Sequence, residues 1–251
     1  MTRQLIRFGT AFVLAWLAAA PAGAQSYTVP ASTPAYIRAA VESAERTDEE
    51  KARDAARKPA EVLTLSGIKP GDKVIEIAGF GNYYTKMLSA IVGDAGVVSM
   101  YDLPYTGGRS GGPSAAFVEQ HPNTEYHLGN YNNATFPQNV DVVFNVLYYH
   151  DLGLQPVDRA AFNRKLYEAL KPGGAFVVID HKAADGSGWR DTQATHRVDV
   201  QEIIKEVTAA GFMLETNSDL LAHPEDDRSK MVFAPGTRGG TDRALFVFRK
   251  R

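Results

Sequence analysis

Residues 73–102 constrain the fold more tightly than any other stretch of this 251-residue chain. Val74, Ile75 and Ile77 form a short apolar run around Glu76, as a strand buried on both faces does. Gly79 and Gly81 follow at once and permit backbone turns that a Cβ would obstruct. Tyr84, Met87, Leu88 and Ile91 then recur at helical spacing. Gly93 and Gly96 flank the next turn, and Val97–Met100 reads as a second buried strand that ends on Asp102. Strand, glycine turn, helix, strand and terminal acid are the parts with which a doubly wound parallel sheet grips a nucleoside-like ligand.

The rest of the chain repeats the alternation. Strands are expected at Thr124–Leu128, Asp141–Leu147, Ala175–Ile179, Phe212–Glu215 and Ala244–Phe248. Phe162, Leu166, Ala169 and Leu170 give one intervening helix an inner face, which Lys171-Pro172-Gly173-Gly174 ends. Asp199 and Glu202 open another, with Val200, Ile203, Ile204 and Val207 inward and Gly211 just past its end. The expected fold is α/β: a Rossmann-like, doubly wound, mostly parallel seven-stranded sheet with helices on both faces and an N-terminal helical extension. Thr106–Ser114 and the polar segment from Asp219 to Asp242 are expected as loops. Thr47-Asp48-Glu49-Glu50 has capping-box spacing and is expected to open one charged helix running through Arg57.

Residues 1–24 combine basic Arg3 and Arg7, an apolar stretch over Phe8–Ala20, and small residues Ala22-Gly23-Ala24. This pattern is that of a secretory signal peptide, too short in its apolar part for a membrane span. The expected organisation is a signal peptide over 1–24, an N-terminal extension with helices over 25–58, and one α/β domain over 59–251. Export to the periplasm or the medium follows, with no stable membrane insertion after cleavage. Loss of Arg3 and Arg7 takes the formal charge from −2 to −4, a surface with no general attraction for nucleic acid. The chain has no cysteine, which excludes disulfides and thiolate metal sites. No Gly-x-Ser-x-Gly elbow and no Walker loop occurs, so the motifs of a serine hydrolase and of a P-loop nucleotidase are missing.

A polar set lies where the strand order predicts the carboxyl edge of the sheet. His150 and Asp151 follow the fourth strand, Asp180 and His181 the fifth, and His196 and Arg197 precede the next helix. Histidine suits proton removal near neutrality, so His150 or His181 is the expected base, with Asp151 or Asp180 holding the imidazole. Arg197 is expected to bind an acidic substrate group. Neutral imidazoles with carboxylates also suit a divalent transition metal, but no single ligand motif assigns metal residues. Arg53, Asp54 and Arg57 read either as a lid or as a solvated helix face, and Trp189 as a cover for the pocket.

The order of these elements resembles the class I S-adenosylmethionine-dependent methyltransferases, and within them a group of exported bacterial proteins described as predicted methyltransferases. The resemblance spans roughly residues 45–250. It rests on the glycine-turn segment, Asp102, Tyr148-Tyr149-His150-Asp151, Leu170–Gly174, Asp180-His181, Thr195-His196-Arg197 and Arg238-Gly239-Gly240-Thr241-Asp242-Arg243. It implies an enzyme that takes S-adenosyl-L-methionine and methylates a small molecule or an envelope component. Glu76 would hold the methionine amino group, and Ala78, Gly79, Phe80, Gly81 and Asn82 would form the turn beneath methionine and ribose. Asp102 would take both ribose hydroxyls, and Asn130 would face the adenine amine with Tyr131 beside it. The family's usual glycines fall at Ala78, Phe80 and Asn82, and all three are replaced. Two other readings stand beside this one: a non-catalytic binding protein whose turn is blocked by Phe80, and a metal-dependent enzyme using His150, Asp151, Asp180, His181 and His196.

Overall fold

The computed structural model describes residues 26–104 and 114–251, apart from the side chain of Phe80. The signal-peptide reading of residues 1–24, most of the loop read at Thr106–Ser114, and the proposed blockage by Phe80 lie outside the described residues. Ser114 itself is helical rather than loop.

Seven strands form one sheet: β1 (Lys73–Ile77), β2 (Val97–Asp102), β3 (Thr124–Leu128), β4 (Val140–Val146), β5 (Leu170–His181), β6 (Met213–Ser218) and β7 (Arg243–Arg249). Their order is β3-β2-β1-β4-β5-β7-β6, with β7 antiparallel to both neighbours and the other pairs parallel. Short helices α1 (Ala35–Val41), α2 (Asp48–Lys51), α3 (Asp54–Arg57) and α4 (Pro59–Ser66) precede the sheet. The crossovers carry α5 (Tyr83–Val92), α6 (described over 114–120), α7 (Arg159–Ala169), α8 (Thr192–Thr195) and α9 (Val200–Ala209).

The alternating period of the strands sorts their apolar side chains into two layers. Ile75, Val143, Phe176, Val178, Phe246 and Phe248 lie in one core with Phe162 and Leu166 of α7 and Ile203 and Val207 of α9. Val74, Val142, Phe144, Val177 and Val247 join the other core with Ile37 of α1, Leu63 of α4, and Met87 and Leu88 of α5. Burying one such side chain stabilises the fold by about 1.5–3 kcal/mol, so both layers are needed to hold the sheet.

Two expectations are corrected. Lys171-Pro172-Gly173-Gly174 does not stand outside the strand as a turn. β5 already starts at Leu170, the register against β4 shifts between Val140 and Val142, and Gly173 takes φ +76. Residues 171–174 pair with no residue of β4, the register passing from Val140–Leu170 to Val142–Ala175, so an irregularity inside the strand carries the helix-to-strand transition. The charged helix expected from Thr47 to Arg57 is two single turns, α2 and α3. The capping box does form, with Glu50 N–H on Thr47 and Thr47 N–H on Glu50. The interruption at Ala52 and Arg53 turns Asp54 inward, where it accepts from Arg46 and from the Tyr83 hydroxyl.

Candidate active site

The strand order reverses between β1 and β4, and the carboxyl ends of β1, β4 and β5 open there onto a cavity of about 390 Å³. Such a switch point is where open α/β sheets bind their ligands, because the flanking loops leave in opposite directions. Hollows of similar size at Ser26–Glu61 and beside Asn132 are more open and lack this chemistry.

One wall is the turn after β1. Ala78, Gly79 and Gly81 line it together with Glu76, Tyr83 and Tyr84. Ala78 and Asn82, which replace glycines of the resembling family, both take left-handed backbone conformations, at φ +56 and +57. Gly81 does the same at φ +65, so the looped path survives with an alanine that disfavours it and an asparagine that tolerates it. Gly79 has ordinary φ but no room: a Cβ there would stand 2.9 Å from Glu76 Oε2 and 3.1 Å from Thr85 Oγ1. Asn82 is buried and accepts from Ser114 Oγ at 3.2 Å.

Glu76 is the unusual group of this wall. It is buried, and Thr85 Oγ1 donates to its Oε2 at 2.5 Å. Loss of solvent drives its pKa up to about 7, the Thr85 hydrogen bond pulling down and the nearby charge of Asp102 pushing up. Asp102 is the last residue of β2, buried, with the Tyr126 hydroxyl donating to its Oδ2 at 3.1 Å. A carboxylate so placed gains most from a cationic ligand.

The facing wall gathers His150, Asp151, His181 and His196. Asp180, wholly buried at the end of β5, organises it. Its Oδ1 accepts from His150 Nδ1 at 2.7 Å and from the His181 backbone N–H at 2.7 Å. Its Oδ2 accepts from the His150 backbone N–H at 2.6 Å. Because a carboxylate can only accept, His150 carries a proton on Nδ1 toward Asp180, which leaves Nε2 on the other edge of the ring, 3.4 Å from Asp151 Oδ1. Burial works against the charged imidazole, yet the Asp180 charge and hydrogen bond, with Asp151, hold the His150 pKa above its ordinary value. His181 goes the other way: burial, then the charges of His150 and Arg243, lower its pKa well below the ordinary range. Its Nδ1 lies 2.8 Å from Thr241 Oγ1. Asp151 Oδ1 stands 3.4 Å from His150 Nε2 and 3.2 Å from His196 Nδ1. His196 ends α8 with φ +53. Among the described residues, seven other than glycine have positive φ, and three of them, Ala78, Leu147 and His196, line this cavity. Backbone strain of this kind concentrates at functional sites, where surrounding structure holds it in place.

Four expected site residues are placed elsewhere. Arg197 is wholly buried and faces no substrate. Its guanidinium spans Asp226, Lys230 O and Lys182 O, strapping the 219–242 segment to the sheet. Asn130 is exposed and its Oδ1 closes a turn on Asn132 N–H at 2.9 Å. Tyr131 belongs to the core, its hydroxyl donating to Tyr101 O at 3.0 Å. Trp189 does not cover the cavity. It packs on Tyr149 and against Gly153, with Arg159 over its ring. Each of these side chains found a nearer partner than the cavity offers. Conversely, the expected loop 219–242 supplies cavity residues that its polar composition concealed, Phe233 and Arg238. Arg53 and Arg57 join Arg238 at the cavity wall, both stacked over Tyr83. These two stand on the wall of the site, partly buried rather than on a merely solvated face.

No family model matches the chain. Sequence relatives include the ubiquinone/menaquinone biosynthesis C-methyltransferase UbiE of Shewanella oneidensis, 26% identical over 176 residues, 68% of this chain and 67% of that protein. UbiE of Hydrogenovibrio crunogenus is 30% identical over 121 residues, 47% of this chain. The chain spans about half the length of several such relatives, 45% of this one. A S-adenosylmethionine-dependent methyltransferase from Aquifex aeolicus superimposes with TM-score 0.55 at 18% identity, covering 78% of this chain and 98% of that one. The [4+2]-cyclase SpnF does so with TM-score 0.57 at 13% identity, covering 82% and 84%. The fold is that of the class I S-adenosylmethionine-dependent methyltransferases, and the sequence relatives are methyltransferases of the UbiE kind.

Proposed function

We propose that this chain is a methyltransferase that moves a methyl group from S-adenosyl-L-methionine to a small molecule or an envelope component. The observation that carries the reading is one cavity with two unlike walls. The β1 turn with Glu76 fits the cofactor, Asp102 lying buried near Glu76 but not itself among the residues that line the cavity, and the His150, Asp151, His181 and His196 wall fits an acceptor.

The cofactor test rests on Glu76. A buried carboxyl whose one hydrogen-bond donor among the described residues is a hydroxyl suits the ammonium of a methionine moiety, which would supply the missing charge. Gly79 leaves no space for a side chain beside that carboxyl, and among the described residues beyond its chain neighbours Gly81 has nothing within 4 Å of where its Cβ would be. The turn can therefore admit a ligand against its backbone. When bound, S-adenosylmethionine supplies an electrophilic methyl on a cationic sulfur. The chain's own residues then hold and orient the partners. Glu76 anchors the amino-acid end, Asp102 the ribose, and Asp180 fixes His150 so that its Nε2 edge lies beside Asp151 on the acceptor wall. Tyr83 and Tyr84 are buried on the cavity wall, while Phe233 lines it but stays exposed to solvent. Water exclusion by the two buried tyrosine rings would favour transfer to the acceptor over hydrolysis.

Calorimetry of the purified chain with S-adenosylhomocysteine tests the reading. Saturable binding is expected, weakened by Asp102→Ala; no heat and no thermal shift at millimolar ligand removes it. The cyclase on the same fold shows why the test is needed, since fold alone does not set the chemistry. We further propose that the chain is exported, on the basic, apolar and small-residue order of residues 1–24. Among the described residues no helix is long and apolar enough to cross a membrane. Mass spectrometry of the chain recovered from cell fractions should find the mature N-terminus after Ala24 outside the cytoplasm. An intact residue 1 in the cytoplasmic fraction alone would refute export.

A further inference from the structure

We infer that His150, Asp151 and His196 form a binding site for one divalent transition-metal ion, whose open position faces the cavity and takes an anionic oxygen of the acceptor. The inference deepens the methyltransferase reading by naming how the acceptor wall binds its ligand.

One ligand atom from each residue converges: His150 Nε2, Asp151 Oδ1 and His196 Nδ1 all lie within 4.8 Å of one another. The carboxylate oxygen is 3.4 Å from the first nitrogen and 3.2 Å from the second. Zinc–nitrogen and zinc–oxygen bonds of about 2.0–2.2 Å in a tetrahedron put neighbouring ligand atoms about 3.3–3.5 Å apart. The protein holds one edge inside that range and one just short of it, at 3.4 and 3.2 Å, with the nitrogen–nitrogen edge within 4.8 Å. A pair of imidazolium–carboxylate hydrogen bonds is the competing explanation, and the geometry disfavours it. Both nitrogens are buried, and neither makes a hydrogen bond, although each stands near the same oxygen. Atoms that address a common empty point, rather than one another, are arranged as ligands.

The surroundings complete the pattern. Metal-bound histidines commonly donate their second ring N–H to a carboxylate, which fixes the tautomer and raises ligand basicity. Asp180 does this for His150, accepting from Nδ1 at 2.7 Å with no exposure to water. His196 is set by its left-handed backbone at φ +53 and by Phe233, whose ring centroid is 5.2 Å away. Three protein ligands leave a position for an exogenous one, and all three residues line the cavity. Nitrogen and carboxylate donors without sulfur suit zinc, cobalt, manganese or iron rather than a soft ion. Arg53, Arg57 and Arg238 stand on the wall of the same cavity, and no ion pair to a carboxylate is formed by any of them among the described residues. A cation with three arginines nearby selects a ligand with an anionic oxygen, such as a carboxylate or an ionised hydroxyl.

The test uses the full chain, stripped with a chelator and then dialysed against zinc or cobalt without any S-adenosyl compound. One ion per chain is expected by elemental analysis, and the cobalt form should show visible d–d absorption that shifts on adding acetohydroxamate, an oxygen-donor probe. Asp151→Asn and His196→Ala should each weaken binding at least 100-fold, and Asp180→Asn should weaken it about 10- to 100-fold through His150. His127→Gln, at an exposed position on β3, should bind as the unaltered chain does. Circular dichroism melts of the stripped variants separate lost ligands from lost folding. Failure of the stripped chain to take up one ion, or equal affinity in folded Asp151→Asn and His196→Ala, overturns the site. A cobalt spectrum that ignores acetohydroxamate overturns the open position. Calorimetry with S-adenosylhomocysteine is scored separately, so a chain that binds metal without nucleoside, or nucleoside without metal, shows which of the two readings has failed.

Discussion

Glu76 and Asp180 are both carboxylic acids removed from water at the carboxyl ends of parallel strands, yet the protein treats them in opposite ways. Asp180 receives three N–H donors, from the His150 ring, the His150 backbone and the His181 backbone. Among the described residues Glu76 receives one hydroxyl, and another acid, Asp102, is near it. The first is satisfied by the fold and serves to position another residue. The second has no N–H donor or cation on it among the described residues, which is what a site for a cationic ligand requires. Burial of an acid therefore does not by itself identify function; the donors around it decide.

The comparison breaks first at Asp180. Asp180→Ala should destabilise the chain by about 3–5 kcal/mol in urea unfolding, because the His150 ring and two backbone N–H groups lose their acceptor in the interior. A loss below about 1 kcal/mol would mean that the surroundings can relax and that Asp180 is not the organiser.

The next largest effect is one of pH. With a pKa of about 7 in the folded chain against about 4.5 when unfolded, Glu76 keeps a proton on folding throughout that window. The folded state then binds more protons than the unfolded one, so ligand-free stability declines as pH rises from about 4.5 and levels off above about 7. The contribution at stake is about 3 kcal/mol. Urea midpoints from pH 5 to 7.5 should show the decline in the unaltered chain and a flatter profile in Glu76→Gln. Parallel profiles would show that Glu76 is not proton-linked.

The same group sharpens the comparison through its ligand. Glu76→Gln should weaken S-adenosylhomocysteine binding by about 2 kcal/mol, the worth of a hydrogen bond between charged groups. Binding to the unaltered chain near pH 6 should release a proton, seen as a calorimetric enthalpy that changes with the buffer. A buffer-independent enthalpy would count against an ammonium on Glu76.

Smallest is the difference between two glycines of the turn. Gly79→Ala pushes a methyl into Glu76 and Thr85 and should cost about 2 kcal/mol, with loss of nucleoside affinity. Gly81→Ala meets no atom within 4 Å among the described residues beyond its chain neighbours and incurs the left-handed backbone penalty alone, about 1 kcal/mol. Thermal melts of the two variants should rank them in that order; the reverse ranking would place the crowding elsewhere.

How much of this was legible beforehand follows the same division. The wall built by Glu76, Gly79 and Gly81 is continuous in sequence, and local rules of strand, turn and helix reach it directly. The opposing wall was legible only as a set of residue types at predicted strand ends. Which acid holds which imidazole was not, because His150 and Asp180 are thirty residues apart and meet only across β4 and β5. Arg197 shows the converse failure. Its position beside His196 suggested a substrate contact, but Asp226, from a segment without periodicity, claims it in the interior. Asn130 and Tyr131 were likewise drawn into a turn and a core that no nearby pattern announces.

The sequence by itself determined the alternating strands and helices, the two apolar layers and the strained turn after β1, since these depend on side-chain period and on residues within a few positions of one another. Only the tertiary structure decided the pairing of Asp180 with His150, the convergence of Asp151 and His196 on the same space, and the withdrawal of Arg197 into a strap. The reason is physical. Hydrogen-bond partners of buried charges are chosen by proximity after packing, and packing brings together residues whose separation along the chain carries no information about their distance in space.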